Sequence, residues 1–297
     1  MKKPTSLEVD VTRRHTLGLL AALGASSIAV PALAANAGAS ATITSPRDRM
    51  RTFMLMRGAL DDRLVMHWLQ GRYYGLVDGE VTPLFGLLSA QFSRFRSDGE
   101  GGYFNVRAEA SFITNPDTGE AISEIRNPYT GATMTAPARN YPPSSPHIRA
   151  DLKFDIVQQP GATLRHEVEG IFANGGDVWI SEISTAKTPV PNAKPSLYNE
   201  MLTYHARASD LQRRGAKRVP CNISFTNTVS WRSWMNMGDH AGHLLVVGAG
   251  RYVDSMDELP LAWLRAARAA KLALVQDPLA VLAPVWNELP LPDTKGS

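Results

Sequence analysis

Three patterns predict a mainly β protein, an antiparallel β-barrel or strongly curved sheet of roughly ten strands with a C-terminal helix. From about Leu64 to Arg251 apolar residues recur with a period of two. Turn signals return every ten residues or so along the same stretch. Only the late segment Asp257 to Val275, rich in Ala and Leu with Arg265, Arg268 and Lys271 along one side, has an amphipathic helical pattern. The length of several strands favours a barrel over a two-sheet sandwich. A barrel removes exposed edges and leaves an interior that can hold one small ligand.

Taken in order, residues 1–37 read as an export signal. Arg13 and Arg14 precede an apolar run from Leu17 to Ala34, which exits through Ala32-Leu33-Ala34 and Asn36-Ala37. The arginine pair resembles a twin-arginine signal without its usual Phe, and predicts a periplasmic or secreted protein. Gly18, Gly24, Ser26, Ser27 and Pro31 make the run a poor membrane span. Residues 38–46 form a polar spacer, and residues 47–297 a single domain that starts with a short helix over Arg47 to Leu60. Asn115-Pro116-Asp117-Thr118-Gly119-Glu120 and Asn127-Pro128-Tyr129-Thr130-Gly131 are turns in which proline presets φ and glycine accepts a positive one. They predict a three-strand meander: Gly102 to Thr114, Ala121 to Arg126 and Ala132 to Ala136. Pro137 to Pro146 is too poor in donors for a central strand. Strands resume at Asp151 to Gln158, Thr163 to Phe172, Asp177 to Thr185, Ser196 to Ala208, Arg218 to Trp231 and Leu244 to Arg251. Pro278, Pro284, Pro290 and Pro292 predict a non-regular tail.

The whole chain of 297 residues carries a formal charge of +3, with 44% hydrophobic and 20% charged residues, the balance of an ordinary globular protein. Four basic and two acidic residues lie in the signal, so the remaining chain is near neutral and gives no reason to expect nucleic acid. No other segment predicts a membrane span, and a homo-oligomer is left open. The single cysteine, Cys221, alternates with apolar residues and reads as a buried small hydrophobe. Phosphate-loop, dinucleotide, Gly-x-Ser-x-Gly and CxxC signatures are absent from the sequence, which removes the usual signs of ATP, hydride, serine-hydrolase and thiol chemistry. No organic cofactor is called for.

Strand alternation selects the inward polar residues. His166 shares a face with Leu164 and Val168. It reads either as a satisfied core histidine or as a proton carrier near neutrality. Glu182 follows Val178 and Ile180, and reads either as a salt-bridge partner or as an acid whose pKa burial raises. Asn227 sits among Phe225, Val229 and Trp231, where a buried amide needs a partner, structural or ligand. Tyr204 shares its face with Tyr198, Glu200 and Leu202. The densest cluster, Trp231 to His243, brings Trp231, Trp234, Asp239 and His240 into a loop read as the mouth of a pocket. Asp239-His240-x-x-His243 matches no strong metal signature and is expected to bind none.

Arg57-Gly58-Ala59-Leu60-Asp61-Asp62-Arg63-Leu64-Val65-Met66-His67-Trp68-Leu69-Gln70-Gly71 resembles the opening of the DUF1838 proteins. Tyr74, Gly79-Glu80, Pro83-Leu84-Phe85-Gly86, the two Asn-Pro turns, and Trp231 with Trp234, Met237, Gly238 and Asp239 continue the resemblance, from about residue 47 to about residue 290. The resemblance implies an exported or soluble protein in the metabolism of hydrophobic natural products, and carries no mechanism.

The expectation is an exported enzyme of lyase or isomerase type, using cofactor-independent acid–base chemistry on a small hydrophobic, aromatic or phenolic molecule. His166, Tyr204, Asp239 and His240 form the expected catalytic group. Trp68, Tyr74, Glu182, Asn227, Trp231 and Trp234 are the expected substrate-binding residues. The alternative is a periplasmic carrier that binds the same kind of ligand unchanged.

Overall fold

A computed structural model describes residues 41–158, 160–191 and 193–291. The expected export signal and the first residues of the spacer lie outside the described residues. Helix α1 (Pro46–Arg57) starts with Pro46 in its first turn, where the missing N–H costs nothing, and Ser45 Oγ accepts from the Asp48 N–H at 3.5 Å.

Among the described residues there are fourteen strands: β1 (Ala41–Thr42), β2 (Val65–Val77), β3 (Glu80–Ser97), β4 (Tyr103–Thr114), β5 (Glu124–Arg126), β6 (Thr133–Thr135), β7 (Arg139–Ser144), β8 (His147–Ile148), β9 (Phe154–Asp155), β10 (Thr163–Asn174), β11 (Asp177–Thr188), β12 (Ser196–Arg207), β13 (Asn222–Val229) and β14 (His243–Val253). Twelve of them form one antiparallel sheet in the order β1-β10-β11-β12-β13-β14-β2-β3-β4-β8-β9, with β7 on β4. The sheet curls until its ends meet: Lys153 bridges to Glu167, and the Val168 N–H donates to the Leu152 carbonyl at 3.1 Å. The expected nearly closed barrel is therefore present. Gly71 and Gly248 pair across β2 and β14, and a Cβ on Gly248 would lie 2.6 Å from the Phe225 ring. Glycine at both positions leaves room for the ring inside the barrel.

Both ends are plugged by apolar side chains. At one end α1 contributes Phe53, Met54 and Leu55, packed in one cluster with Val178, Ala206, Ile223 and Tyr252. At the other end Met134, Met235 and Met237, with Trp234 against Phe85, lie over Leu244 and Val246. A second core lies outside the barrel. There Leu88, Ala90, Phe92, Val106, Ala108, Ala110 and Phe112 of β3 and β4 are covered by α3 (Leu261–Ala269), α4 (Ala273–Gln276) and α5 (Pro278–Glu288). Helix α2 (Ala208–Leu211) is a single turn after β12.

Three local expectations need correction, and a fourth, that Pro137 to Pro146 makes no central strand, holds. The meander does not continue past β4: β5 and β6 pair only with each other, and a single bridge, Thr114 to Ala121, ties them to β4. The Asn-Pro turns themselves form as expected, with Gly119 and Gly131 at φ 73° and 71°. The proline-rich passage contains β7, which lies off the main strand path on β4, where a missing donor is tolerated. The late amphipathic segment is two helices, because the chain turns at Lys271 with φ 52°. The expected irregular tail is largely α5, since Pro278 occupies the first turn and Asp277 Oδ1 accepts from the Ala280 N–H at 2.9 Å. Among the described residues no helix is long and apolar enough to cross a membrane.

Candidate functional site

Between the two apolar plugs the barrel interior is polar. The registers bring Glu200 opposite both Asn227 and Ser184, Ser184 opposite His166, and Gln91 opposite both His67 and Glu109. These side chains enclose a cavity of about 500 Å³. Arg139, Tyr141, Pro142 and Ser144 of β7, with Ile156, also line it, beside the seam where β8 and β9 close the sheet. The volume suits a small organic ligand.

Arg57 projects from the last turn of α1 and meets β9, β11 and β12 at once, through Phe154, Glu182 and Tyr204. Its Nη2 donates to Glu182 Oε1 at 3.2 Å and its Nε to the Tyr204 hydroxyl at 3.1 Å. Nε also lies 2.8 Å from Glu182 Oε2, an ionic contact without a directed hydrogen bond, so Oε2 has no donor. The guanidinium is boxed by the rings of Phe53, Phe154 and Tyr204, at 5.6, 5.5 and 5.8 Å from their centroids. His166 Nε2 donates to Glu182 Oε1 at 2.7 Å, while its ring stacks on Phe154 at 3.9 Å. Burial pulls the Glu182 pKa upward, but the Arg57 charge and the His166 contact outweigh it and hold the carboxyl at about 2. The sequence argument that burial would make Glu182 an acid fails for that reason. Burial also lowers the His166 pKa, leaving the ring neutral with Nδ1 as its acceptor. His67, likewise desolvated and facing the Arg57 charge, is pushed down to about 3.

A second group occupies the same cavity under different conditions. Glu200 Oε1 accepts from Asn227 Nδ2 at 3.1 Å, and Asn227 Oδ1 has no partner. Burial is the main cause that lifts Glu200 to about 7, aided by the nearby carboxylates Glu109 and Glu182. The Tyr198 hydroxyl is raised well above its usual range by burial and by the Glu200 charge, so it stays a donor. Glu109 is raised by burial and accepts from Ser89 Oγ at 2.6 Å. Arg107 lines the cavity from β4 and is surrounded by protein, yet its tip borders the open volume.

The structure thus gathers His166, Tyr204, Glu182 and Asn227 around one cavity, and leaves the other expected residues outside its lining. Trp68 is on the outer face of β2, packed beneath the C-terminal helices, because its neighbour His67 takes the inner face. Tyr74 is outward too, since Tyr73 fills the interior beside a bulge between Arg72 and Tyr74. Asp239 and His240 are exposed in the loop after β13 and do not border the cavity. Trp231 and Trp234 belong to the end plug: Trp231 lies against Tyr129 at 5.4 Å and Trp234 against Phe85 at 5.5 Å. Among the described residues no three His, Cys, Asp or Glu side chains form a metal-holding group, so the Asp239-His240-x-x-His243 spacing gathers no third ligand. Cys221 is buried, and burial pushes its thiol up to about 12, as expected of a packed hydrophobe.

Sequence reasoning missed Arg57, His67, Arg107, Glu109 and Glu200 as site residues. The available signal was Arg107-Ala108-Glu109-Ala110-Ser111, a period-two run in which the polar set faces inward.

A comparison with curated proteins finds no match. The family model described as "Protein of unknown function (DUF1838)" matches residues 62–272, the stretch from the start of the barrel to the helices that cover it. With most of its length inside that match, the chain belongs to the DUF1838 family.

Proposed function

We propose that the protein is an enzyme that moves protons on a small organic molecule held in the barrel cavity, in a lyase- or isomerase-type reaction. The observation that carries this reading is Glu200: a cavity carboxyl poised at about 7, oriented by Asn227 and flanked by the Tyr198 hydroxyl. A general base works best when its pKa is close to the working pH, because it is then both available and basic enough to take a proton. In this scheme Glu200 takes a proton from a carbon next to an electron-withdrawing group. It then returns that proton to another position of the same molecule, or to a leaving group. The high pKa keeps Tyr198 protonated, and it serves as hydrogen-bond donor to the oxygen on which charge develops. Leu69, Leu87, Leu202 and Phe225 offer an apolar wall to an aromatic or otherwise hydrophobic body. His166 and Tyr204 position the wall through Glu182 and Arg57 and do not carry the proton. Export to the periplasm or medium is part of this proposal, and rests on Arg13, Arg14 and the apolar run after them.

Turnover in heavy water tests the reading directly. The purified protein is incubated with a panel of phenolic, cinnamic and terpenoid compounds in deuterium oxide, and products are followed by mass and proton spectra. At least one compound should gain deuterium at carbon or lose a small leaving group. Glu200→Gln should slow that step by about 10²–10⁴-fold while the fold is kept. Saturable binding with every compound unchanged would establish a carrier instead.

A further inference from the structure

Arg107 stands in the middle of β4, with its guanidinium on the cavity surface. Among the described residues its guanidinium has no carboxylate within ion-pair distance and no hydrogen-bond partner, although its backbone pairs with β3 and β7. Its nearest candidate, Glu109 two residues along the same face, is held by Ser89 Oγ at 2.6 Å. The strongest anion in the cavity, Glu182, is already committed to Arg57 and His166. Glu200 is turned toward Asn227 at 3.1 Å. A charged guanidinium enclosed by protein normally has a counter-ion, because an uncompensated charge is costly to keep away from bulk water. Two more cations, Arg139 and Arg232, border the same cavity, and Arg232 Nε has no partner either. The cavity is therefore provided with cations and short of anions to match them.

We propose that Arg107 is the anchor for a carboxylate on the ligand, so that the cavity takes small carboxylic acids with an apolar body. A carboxylate presents two oxygens to the two parallel N–H groups of a guanidinium fork, which fixes direction as well as charge. Held there, the apolar body of the ligand lies against Leu69, Leu87 and Phe225. The inference rests on the reading of this cavity as the ligand site and narrows its substrate class.

Calorimetric binding to the full-length protein tests it with matched pairs of probes: benzoate and benzamide, cinnamate and cinnamamide, 3-phenylpropionate and 3-phenylpropanamide. At neutral pH at least one acid should bind about tenfold or more tightly than its amide, the size of a charge-assisted bidentate contact. Arg107→Met should bring the two members of that pair to within about twofold, and Arg107→Lys, which keeps charge without the fork, should fall between. Melting curves check that each variant is folded, and Arg107→Lys answers alone if Arg107→Met is not. Equal binding of acids and amides, no binding of any acid, or an acid preference that survives both substitutions would overturn the proposal. An Arg107-dependent acid preference with no turnover of any compound would leave this inference standing and remove the enzymatic one. Turnover without acid preference would do the reverse.

Discussion

Two charged groups face the same cavity, and they differ in what their neighbours have already satisfied. Around Arg57, every strong charge has an opposite charge or an aromatic face: Glu182 meets Arg57 and His166, and Arg57 is boxed by Phe53, Phe154 and Tyr204. Around Glu200, the carboxyl has the Asn227 amide and the Tyr198 hydroxyl but no cation in contact, Asn227 keeps an unused oxygen, and Arg107 forms no ion pair among the described residues. Burial works to raise both glutamates, yet Glu182 settles at about 2 and Glu200 at about 7. The difference lies in the partners rather than in depth. A carboxyl locked by a neighbouring cation is a strut of the barrel, and one left near neutrality is able to exchange a proton.

The largest expected effect comes from breaking the locked group. Glu182→Gln leaves Arg57 buried without its counter-ion and should cost about 3–5 kcal/mol of unfolding free energy, read from urea denaturation. Glu200→Gln replaces a carboxyl that is protonated in the folded state at pH 4.5 by its neutral isostere, and at that pH should change stability by under about 1 kcal/mol. A loss for Glu182→Gln no larger than that for Glu200→Gln would erase the distinction between strut and proton carrier.

The same contrast has a pH signature of intermediate size. In the unfolded chain both carboxyls titrate near 4.5; on folding Glu200 rises to about 7 and Glu182 falls to about 2. Between 4.5 and 7 the folded state holds the Glu200 proton more firmly than the unfolded state does, so its contribution to stability is full below that window and is lost as pH rises through it. Glu182 contributes in the opposite sense: its stabilisation is full above 4.5 and is lost as pH falls toward 2. Melting temperatures of the protein and of Glu200→Gln, measured side by side, should therefore diverge. The unmodified protein should lose ground to the variant from pH 4.5 to pH 7 and hold a constant offset on either side. Parallel curves across that range would mean that Glu200 titrates as an ordinary surface carboxyl.

The barrel was readable from sequence because period-two alternation and Asn-Pro-x-x-Gly turns are local consequences of pleat and chirality. His166, Glu182 and Asn227 were found by the same device, since each interrupts an otherwise apolar inner face. Arg107, Glu109 and Ser111 escaped it because β4 is buried on both sides. Ala108, Ala110 and Phe112 point outward under α3 to α5, so the polar set that alternation assigns to solvent is the one that faces the cavity. Which face of a strand is inside depends on helices more than a hundred residues away, and no local pattern carries that. Arg57 was hidden for a related reason: at the end of a short helix a basic residue ordinarily favours the carbonyl terminus, whereas here the helix enters the barrel. In the proline tail Pro278 is harmless because it occupies the first helical turn, whereas Pro284 lies inside α5, where Leu282 and Trp286 on either side of it are buried against the sheet and hold the helix.

The smallest effect is expected at the loop that looked chemically richest. Asp239 and His240 are exposed, border none of the cavity, and neither side chain forms an ion pair among the described residues. Asp239→Asn should shift stability by no more than about 0.5 kcal/mol, as for surface positions without a cap, strain or network, and His240→Ala, which gives up the Tyr129 ring contact, by no more than about 1.5 kcal/mol. Asp239→Asn and His240→Ala should also leave both turnover and acid binding within about twofold, since neither group can reach a molecule seated between Glu200 and Arg107. Two contacts tie His240 to the plug: its ring lies 5.3 Å from that of Tyr129, and its carbonyl accepts from Trp231 Nε1 at 3.2 Å, a bond that a change of side chain keeps. Asp239→Asn thus separates loop from cavity without touching the plug beneath, and His240→Ala touches it only through the Tyr129 ring. Loss of turnover in either one, with melting temperature unchanged, would place the reacting atoms at the loop and displace Glu200 from the role given to it.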